Sequence, residues 1–139
     1  MAVLMSLWFN KEWAMGVKAV VIPVSFNDKP FLVELLGNNH LASLYKYIGC
    51  SCIDVVYLAE YDDHSVDMFV DDEGLLNESP LNQYFLRAYR NGLCVSPLAG
   101  VGVVTRTDDN GETVDIDLQE TKKVLKEFGF SEEELSNLP

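Results

Sequence analysis

The sequence predicts an α+β domain, a mainly antiparallel sheet with helices packed on one face. Two patterns carry this. Alternating apolar runs face each other across short polar turns, the signature of β-hairpins. Three intervening segments space their apolar residues three and four apart, the signature of helices with one buried side. The composition agrees: of 139 residues, 48 % are hydrophobic and 23 % charged, which suits one globular core and excludes a disordered chain.

Taken in order, Val17 to Val24 (VKAVVIPV) is rich in β-branched residues and reads as a strand. Asn27-Asp28-Lys29-Pro30 is a turn cluster, and Phe31 to Leu36 returns as the second strand of a hairpin. After Gly37-Asn38-Asn39, where either Asn can cap a helix, Leu41, Leu44, Tyr45 and Ile48 fall on one helical face, with Gly49 behind them. Ile53 to Glu60 and Ser65 to Val70 alternate across the polar turn Tyr61-Asp62-Asp63-His64, a second hairpin. Leu81, Tyr84, Phe85 and Ala88 mark the next helix, with Pro80 in its first turn and Gly92 past its end. Ala99 to Thr107 is a glycine-containing strand, turned at Asp108-Asp109-Asn110-Gly111 into Thr113 to Ile116. Asp117-Leu-Gln-Glu120 has the form of a capping box, Leu118, Thr121, Leu125 and Phe128 form the inner stripe behind it, and Ser131 to Glu134 opens a last short helix. Residues 17–139 are thus expected to be one domain. Residues 1–16, apolar and holding Trp8 and Trp13, form an N-terminal extension or edge element and a candidate homodimer contact.

The order of these motifs resembles a known family. VVIPV, a helix ending Tyr47-Ile48-Gly49, then Ile53-Asp54-Val55-Val56, Glu73-Gly74, Pro80-Leu81-Asn82 and Leu98-Ala99-Gly100-Val101 are together similar to the DUF3846 domain. The resemblance spans Val17 to Phe128 and implies a bacteriophage or mobile-element setting, with no established activity to transfer. In that family the Asn of the helix start is usually followed by Arg. Here Gln83 follows Asn82, and Arg87 or Arg90 is the substitute the sequence offers.

Ten Lys and Arg against 22 Asp and Glu give a net charge of −12. A chain of that sign is not expected to contact nucleic acid directly, because such binding runs through basic side chains that displace counterions. No apolar run reaches membrane-spanning length. An odd count of three cysteines, Cys50, Cys52 and Cys94, argues against a secreted disulfide framework, and the cytoplasm is the expected compartment. Two histidines, His40 and His64, and these cysteines lack zinc-site spacing, Asp71-Asp72-Glu73-Gly74 fails as a calcium loop, and no serine sits in a nucleophile elbow. No cofactor, metal or catalytic set is expected.

Charge segregation is the most informative feature. From Tyr47 to Leu86 there is no Lys or Arg, while the same window holds Asp54, Glu60, Asp62, Asp63, Asp67, Asp71, Asp72, Glu73 and Glu78. Each pair of like charges about 8 Å apart in water costs roughly half a kcal/mol before screening. Gathered on one face, these acids would suit docking onto a basic groove of a host protein in place of nucleic acid, with Asp62, Asp63, Asp67, Asp71, Asp72 and Glu73 as the contact residues. The alternative expectation is an anion pocket for a nucleotide-type ligand, with Arg87, Arg90 and Arg106 as guanidinium donors and Tyr84 and Tyr89 as stacking walls.

Overall fold

The computed structural model describes residues 16–36, 40–49, 52–74 and 79–139. The expectations for residues 1–15, the caps at Asn38 and Asn39, Cys50 and Glu78 lie outside these. Among the described residues nine elements follow one another: β1 (Val17–Ile22), β2 (Phe31–Leu35), α1 (His40–Ile48), β3 (Ile53–Glu60), β4 (His64–Asp71), α2 (Gln83–Arg90), β5 (Gly102–Asp108), β6 (Thr113–Val114) and α3 (Leu118–Glu127). All strand pairings are antiparallel, in the order β2-β1-β5-β4-β3, with β6 beside the end of β5. The chain is an α+β domain, as its alternation predicts.

Because strand side chains alternate between faces, the sheet supports two apolar clusters. Val20, Ile22, Val66, Met68, Val70 and Val104 meet Tyr84, Phe85 and Ala88 of α2, Val124 and Leu125 of α3, and Phe130, Leu135 and Leu138 of the C-terminal turns. The opposite face joins Ala19, Val21 and Val103 to Leu35 and to Leu44 and Ile48 of α1. The helices therefore do not share one side: α2 and α3 take one face and α1 the other. The sheet needs both, since β1 and β5 carry apolar residues at even and odd positions alike.

Several local expectations shift. Pro80 does not enter α2: Leu81 first makes a bridge with Ala99, and Asn82 is the N-cap. The strand read from Ala99 begins at Gly102, where an added Cβ would lie 2.5 Å from the Met68 sulfur, so a larger residue there would require the Met68 side chain to shift. The segment after Ser131 forms turns, although Ser131 and Glu134 make the reciprocal bonds of a capping box: Ser131 N–H donates to the Glu134 carboxylate at 2.9 Å and Glu134 N–H to the Ser131 hydroxyl at 3.1 Å. Glu134 is also committed to Arg87, described below.

Asn82 ties the layers together. It is 2 % exposed, and its side-chain oxygen accepts from Phe85 N–H at 3.3 Å. Its amide nitrogen faces three carbonyls, donating to Gly100 at 3.0 Å and Pro23 at 3.1 Å, with Ile22 at 3.4 Å. Its backbone N–H donates to Leu98 O at 2.8 Å. One side chain thus joins the end of β1, the 98–100 segment and the start of α2. Asn82→Ala removes a cap and leaves buried carbonyls without donors, so it should lower unfolding free energy by about 2–4 kcal/mol. Urea denaturation of the two proteins checks this, and a loss well under about 1 kcal/mol would contradict the role.

Candidate functional site

The acids predicted to share a face are divided by the β3–β4 hairpin. Its strands are eight residues each, so its ends lie about 25 Å apart. Asp62 and Asp63 occupy the turn at one end, and Asp71, Asp72 and Glu73 leave β4 at the other. Asp67 belongs to neither group. It is 3 % exposed and accepts a hydrogen bond from the Thr107 hydroxyl at 2.5 Å, so it is removed from the set of contact residues. Its position in β4 explains this: Val66 and Met68 point to the α2 face, which turns Asp67 to the other face of a sheet covered on both sides.

At the turn end a second acidic source arrives. β5 runs antiparallel to β4 with His64 opposite Asp108, which brings the β5–β6 turn beside the β3–β4 turn. A shallow groove of about 310 Å³ lies between them, walled by Tyr57, Glu60, Tyr61, Asp62, Asp108 and Asp109. Tyr57 is 61 % and Tyr61 45 % exposed. Asp108 is committed to its own turn, accepting from Asn110 N–H at 3.0 Å and Glu112 N–H at 2.9 Å. Glu60, Asp62 and Asp109 are exposed and make no ion pair among the described residues.

The turn is held by a histidine that the sequence did not single out for this role. His64 Nδ1 lies 2.7 Å from Asp63 Oδ1 and His64 Nε2 lies 2.8 Å from Glu120 Oε2. The Tyr61 ring stacks on the imidazole at 4.6 Å and 18°. Only the imidazolium donates from both ring nitrogens, so two carboxylate acceptors select the charged form. The hydrogen bonds that His64 donates to Asp63 and then Glu120 raise its pKa above 6.5, against burial and the nearby Arg106. The same bond to His64 is the main cause lowering Asp63. Glu120 pays for this locally: Asp117 caps α3 by accepting from Glu120 N–H at 3.0 Å, but the Glu120 carboxylate goes to His64 in place of closing the capping box.

At the other end a cleft of about 420 Å³ separates the β3–β4 edge from the 96–99 segment, with Asp54, Asp71 and Asp72 among its walls and Val56 and Leu98 beside them. Glu73 is exposed in the turn that follows. Among the described residues no three His, Cys, Asp or Glu side chains group where a metal ion would sit, and no helix is long and apolar enough to cross a membrane.

The arginine pocket does not assemble as expected. Arg87 makes a forked pair with Glu134, at 2.9 Å from NH1 and 2.7 Å from NH2, and also donates to Gly129 O at 3.0 Å. Its guanidinium lies over the Phe26 ring at 4.9 Å, so it closes the C-terminal turns against α2. An anion would have to displace a carboxylate whose pKa the Arg87 hydrogen bonds already lower. Tyr84 is fully buried, stacks on Phe130 at 4.9 Å and donates to Asp28 O at 2.5 Å, which leaves no ring face for a base. Arg90 shares a cavity of about 390 Å³ with Arg87 and Phe26, but Tyr89 and Arg106 do not line it. Arg106 sits on β5 opposite Val66, near the His64 turn. Gln83 accepts from Phe26 N–H at 2.7 Å. An arginine there, carrying donors only, could not take that bond; the Gln83 carbonyl ties the Phe26 loop to the start of α2.

Burial raises the Cys94 pKa, and its thiol lies 3.6 Å from Phe85 O and 3.5 Å from Ser96 O; Cys52 is exposed and free.

The His64 linkage has a definite sign. A raised folded pKa means that the stabilisation is complete below about pH 6.5 and is lost as pH rises through the folded value. Proton NMR titration should place His64 above 6.5, and Glu120→Gln should lower it. The stability advantage of the wild type over His64→Gln should be larger near pH 6 than near pH 9, on the order of 1 kcal/mol.

Comparison with protein families matches residues 17–129 to a domain of unknown function, DUF3846. Comparisons with curated proteins and with solved structures give no match.

Proposed function

The chain belongs to the DUF3846 family, and from that premise we propose that it is a non-catalytic binding protein whose acidic sheet end docks onto a basic surface of a partner protein. One observation carries the proposal. Glu60, Asp62 and Asp109 are exposed and without cationic partners among the described residues, and they surround two exposed tyrosines, Tyr57 and Tyr61, in a groove made by two adjoining turns. Unpaired rim charge steers a basic partner and sets its on-rate, while exposed aromatic rings supply area that becomes dry on contact. Tyrosine faces also attract Lys and Arg directly.

The partner we propose is a host protein whose working surface is basic because it ordinarily holds nucleic acid, and the setting is a phage or mobile-element product acting in the bacterial cytoplasm. Carboxylates spread over two turns present the charge sign that such a surface recognises. The Asp63–His64–Glu120 link supports this use, because it holds the turn against α3 and leaves the outer carboxylates free.

The test keeps Asp63 intact, since it is structural, and neutralises the outer set as Glu60→Gln, Asp62→Asn and Asp109→Asn together. A partner recovered from host extract with the wild type is then titrated with both proteins. The triple variant should bind about 10- to 100-fold more weakly, with a flatter salt dependence, because each exposed charge contributes up to about 1 kcal/mol. Its melting temperature should stay level or rise as like charges are removed. Equal affinity of the two proteins for that partner would contradict the proposal.

A further inference from the structure

Among the described residues β3 is an outer strand, and the turn groove takes the Tyr57 and Glu60 side chains but not the backbone of its outer edge. Among the described residues β3 pairs only with β4. The register identifies the groups left over. Asp72 N–H donates to Cys52 O at 3.1 Å, and Tyr61 N–H donates to His64 O at 2.9 Å. Antiparallel pairing alternates, so Asp54 and Val56 turn their backbone groups toward β4, and Ile53, Val55 and Tyr57 turn theirs outward. Beyond the irregularity between Tyr57 and Ala59, Glu60 faces outward again. The Val55 N–H is taken at 2.8 Å by the carboxylate of Asp54, its own neighbour. A side chain that stands in for a missing carbonyl marks a ladder without its next strand. Of the devices that blunt edge strands, β3 lacks Lys and Pro but carries the irregularity between Tyr57 and Ala59 and the acids Asp54 and Glu60, which deter an acidic or neutral strand and admit a cationic one.

The flanks of this edge specify what would pair with it. On the α2 side lies the cleft with Asp54, Asp71 and Asp72. Along the strand stand the exposed Tyr57 and, at its end, Glu60. Neither β3 nor β4 contains a Lys or Arg. A second copy of β3 would bring these acids against their own counterparts, and an apolar strand would cover carboxylates without compensating them. The geometry points to β3 as the acceptor of an extended Lys/Arg-rich segment of the partner, added as a further strand with alternate cationic side chains in the Asp54–Asp71–Asp72 cleft. Backbone bonds to Ile53, Tyr57 and Glu60 would supply affinity, and the cleft would select the side chain. This rests on the partner being basic, and it adds the mode of attachment and a second contact region.

The experiment uses the full chain and a ten-residue peptide of alternating lysine and threonine, with the same peptide fully lysine-acetylated as control. Amide hydrogen exchange is followed by NMR. The unmodified peptide should slow exchange at Ile53, Tyr57 and Glu60 about tenfold or more at saturation, and the acetylated one should not. Asp54→Asn with Asp72→Asn, both at exposed positions, should weaken the peptide about tenfold. Peptide-induced shifts confined to Asp62 and Asp109, without slowed exchange in β3, would overturn strand addition and leave the docking surface standing. Absence of binding by the lysine peptide anywhere would overturn both. Protection of β3 before peptide is added, in a particle of twice the chain mass, would show the edge filled by a second copy and would also overturn the proposal.

Discussion

The burial of one amide side chain, Asn82, is the constraint from which the rest of the arrangement follows. Its three carbonyl neighbours come from two separate parts of the chain, Ile22 and Pro23 on one side and Gly100 on the other, while its oxygen starts α2. A buried amide is tolerated only when both of its ends are satisfied, so the strand end, the 98–100 segment and the helix start must meet at one geometry. That geometry lays Tyr84, Phe85 and Ala88 on the sheet. It also sets the 96–99 segment opposite β3, which creates the cleft holding Asp54, Asp71 and Asp72. The core and the acidic edge are therefore positioned by the same side chain.

The net charge of −12 is distributed by a simple division. Acids that the fold needs are matched: Glu134 by Arg87, Asp63 and Glu120 by His64, Asp67 in part by Thr107. Glu60, Asp62 and Asp109 at the hairpin turns, and Asp54 and Asp72 beside the β3 edge, make no ion pair among the described residues. Their mutual repulsion is small per pair in water, so the fold tolerates it, but the resulting field is available to a cationic partner. His64 is central to this division. It converts two carboxylates into a strut between the turn and α3, so the outer carboxylates need not take part in holding the turn.

Much of this was legible in the sequence. Alternation gave both hairpins, helical spacing gave the stripes of α2 and α3, Asp117 announced its cap and Gly92 ended its helix with a φ of 75°. The candidate site was legible in part. The absence of Lys and Arg around the second hairpin is a property of the chain, but a hairpin separates Asp62 from Asp72 by the full strand length, which a one-dimensional window conceals. Asp67 was misplaced because parity predicts which face a residue takes and not whether that face is covered. With α1 on the second face, both sides of β1 and β5 are core. The pairings Arg87–Glu134 and His64–Glu120 span 47 and 56 residues. No local pattern predicts such pairs, and they turned a supposed anion donor and a neglected histidine into structural elements.

Uncompensated negative potential should concentrate on the β3 edge and the two adjoining turns. Paramagnetic relaxation of the backbone amides by a cationic and by an anionic soluble probe, compared residue by residue, measures that potential without any partner. The most negative values should fall at residues 53–63 and 108–110, clearly below those over α1 and the lysines of α3. A potential of similar magnitude over the whole surface, or a minimum elsewhere, would contradict it.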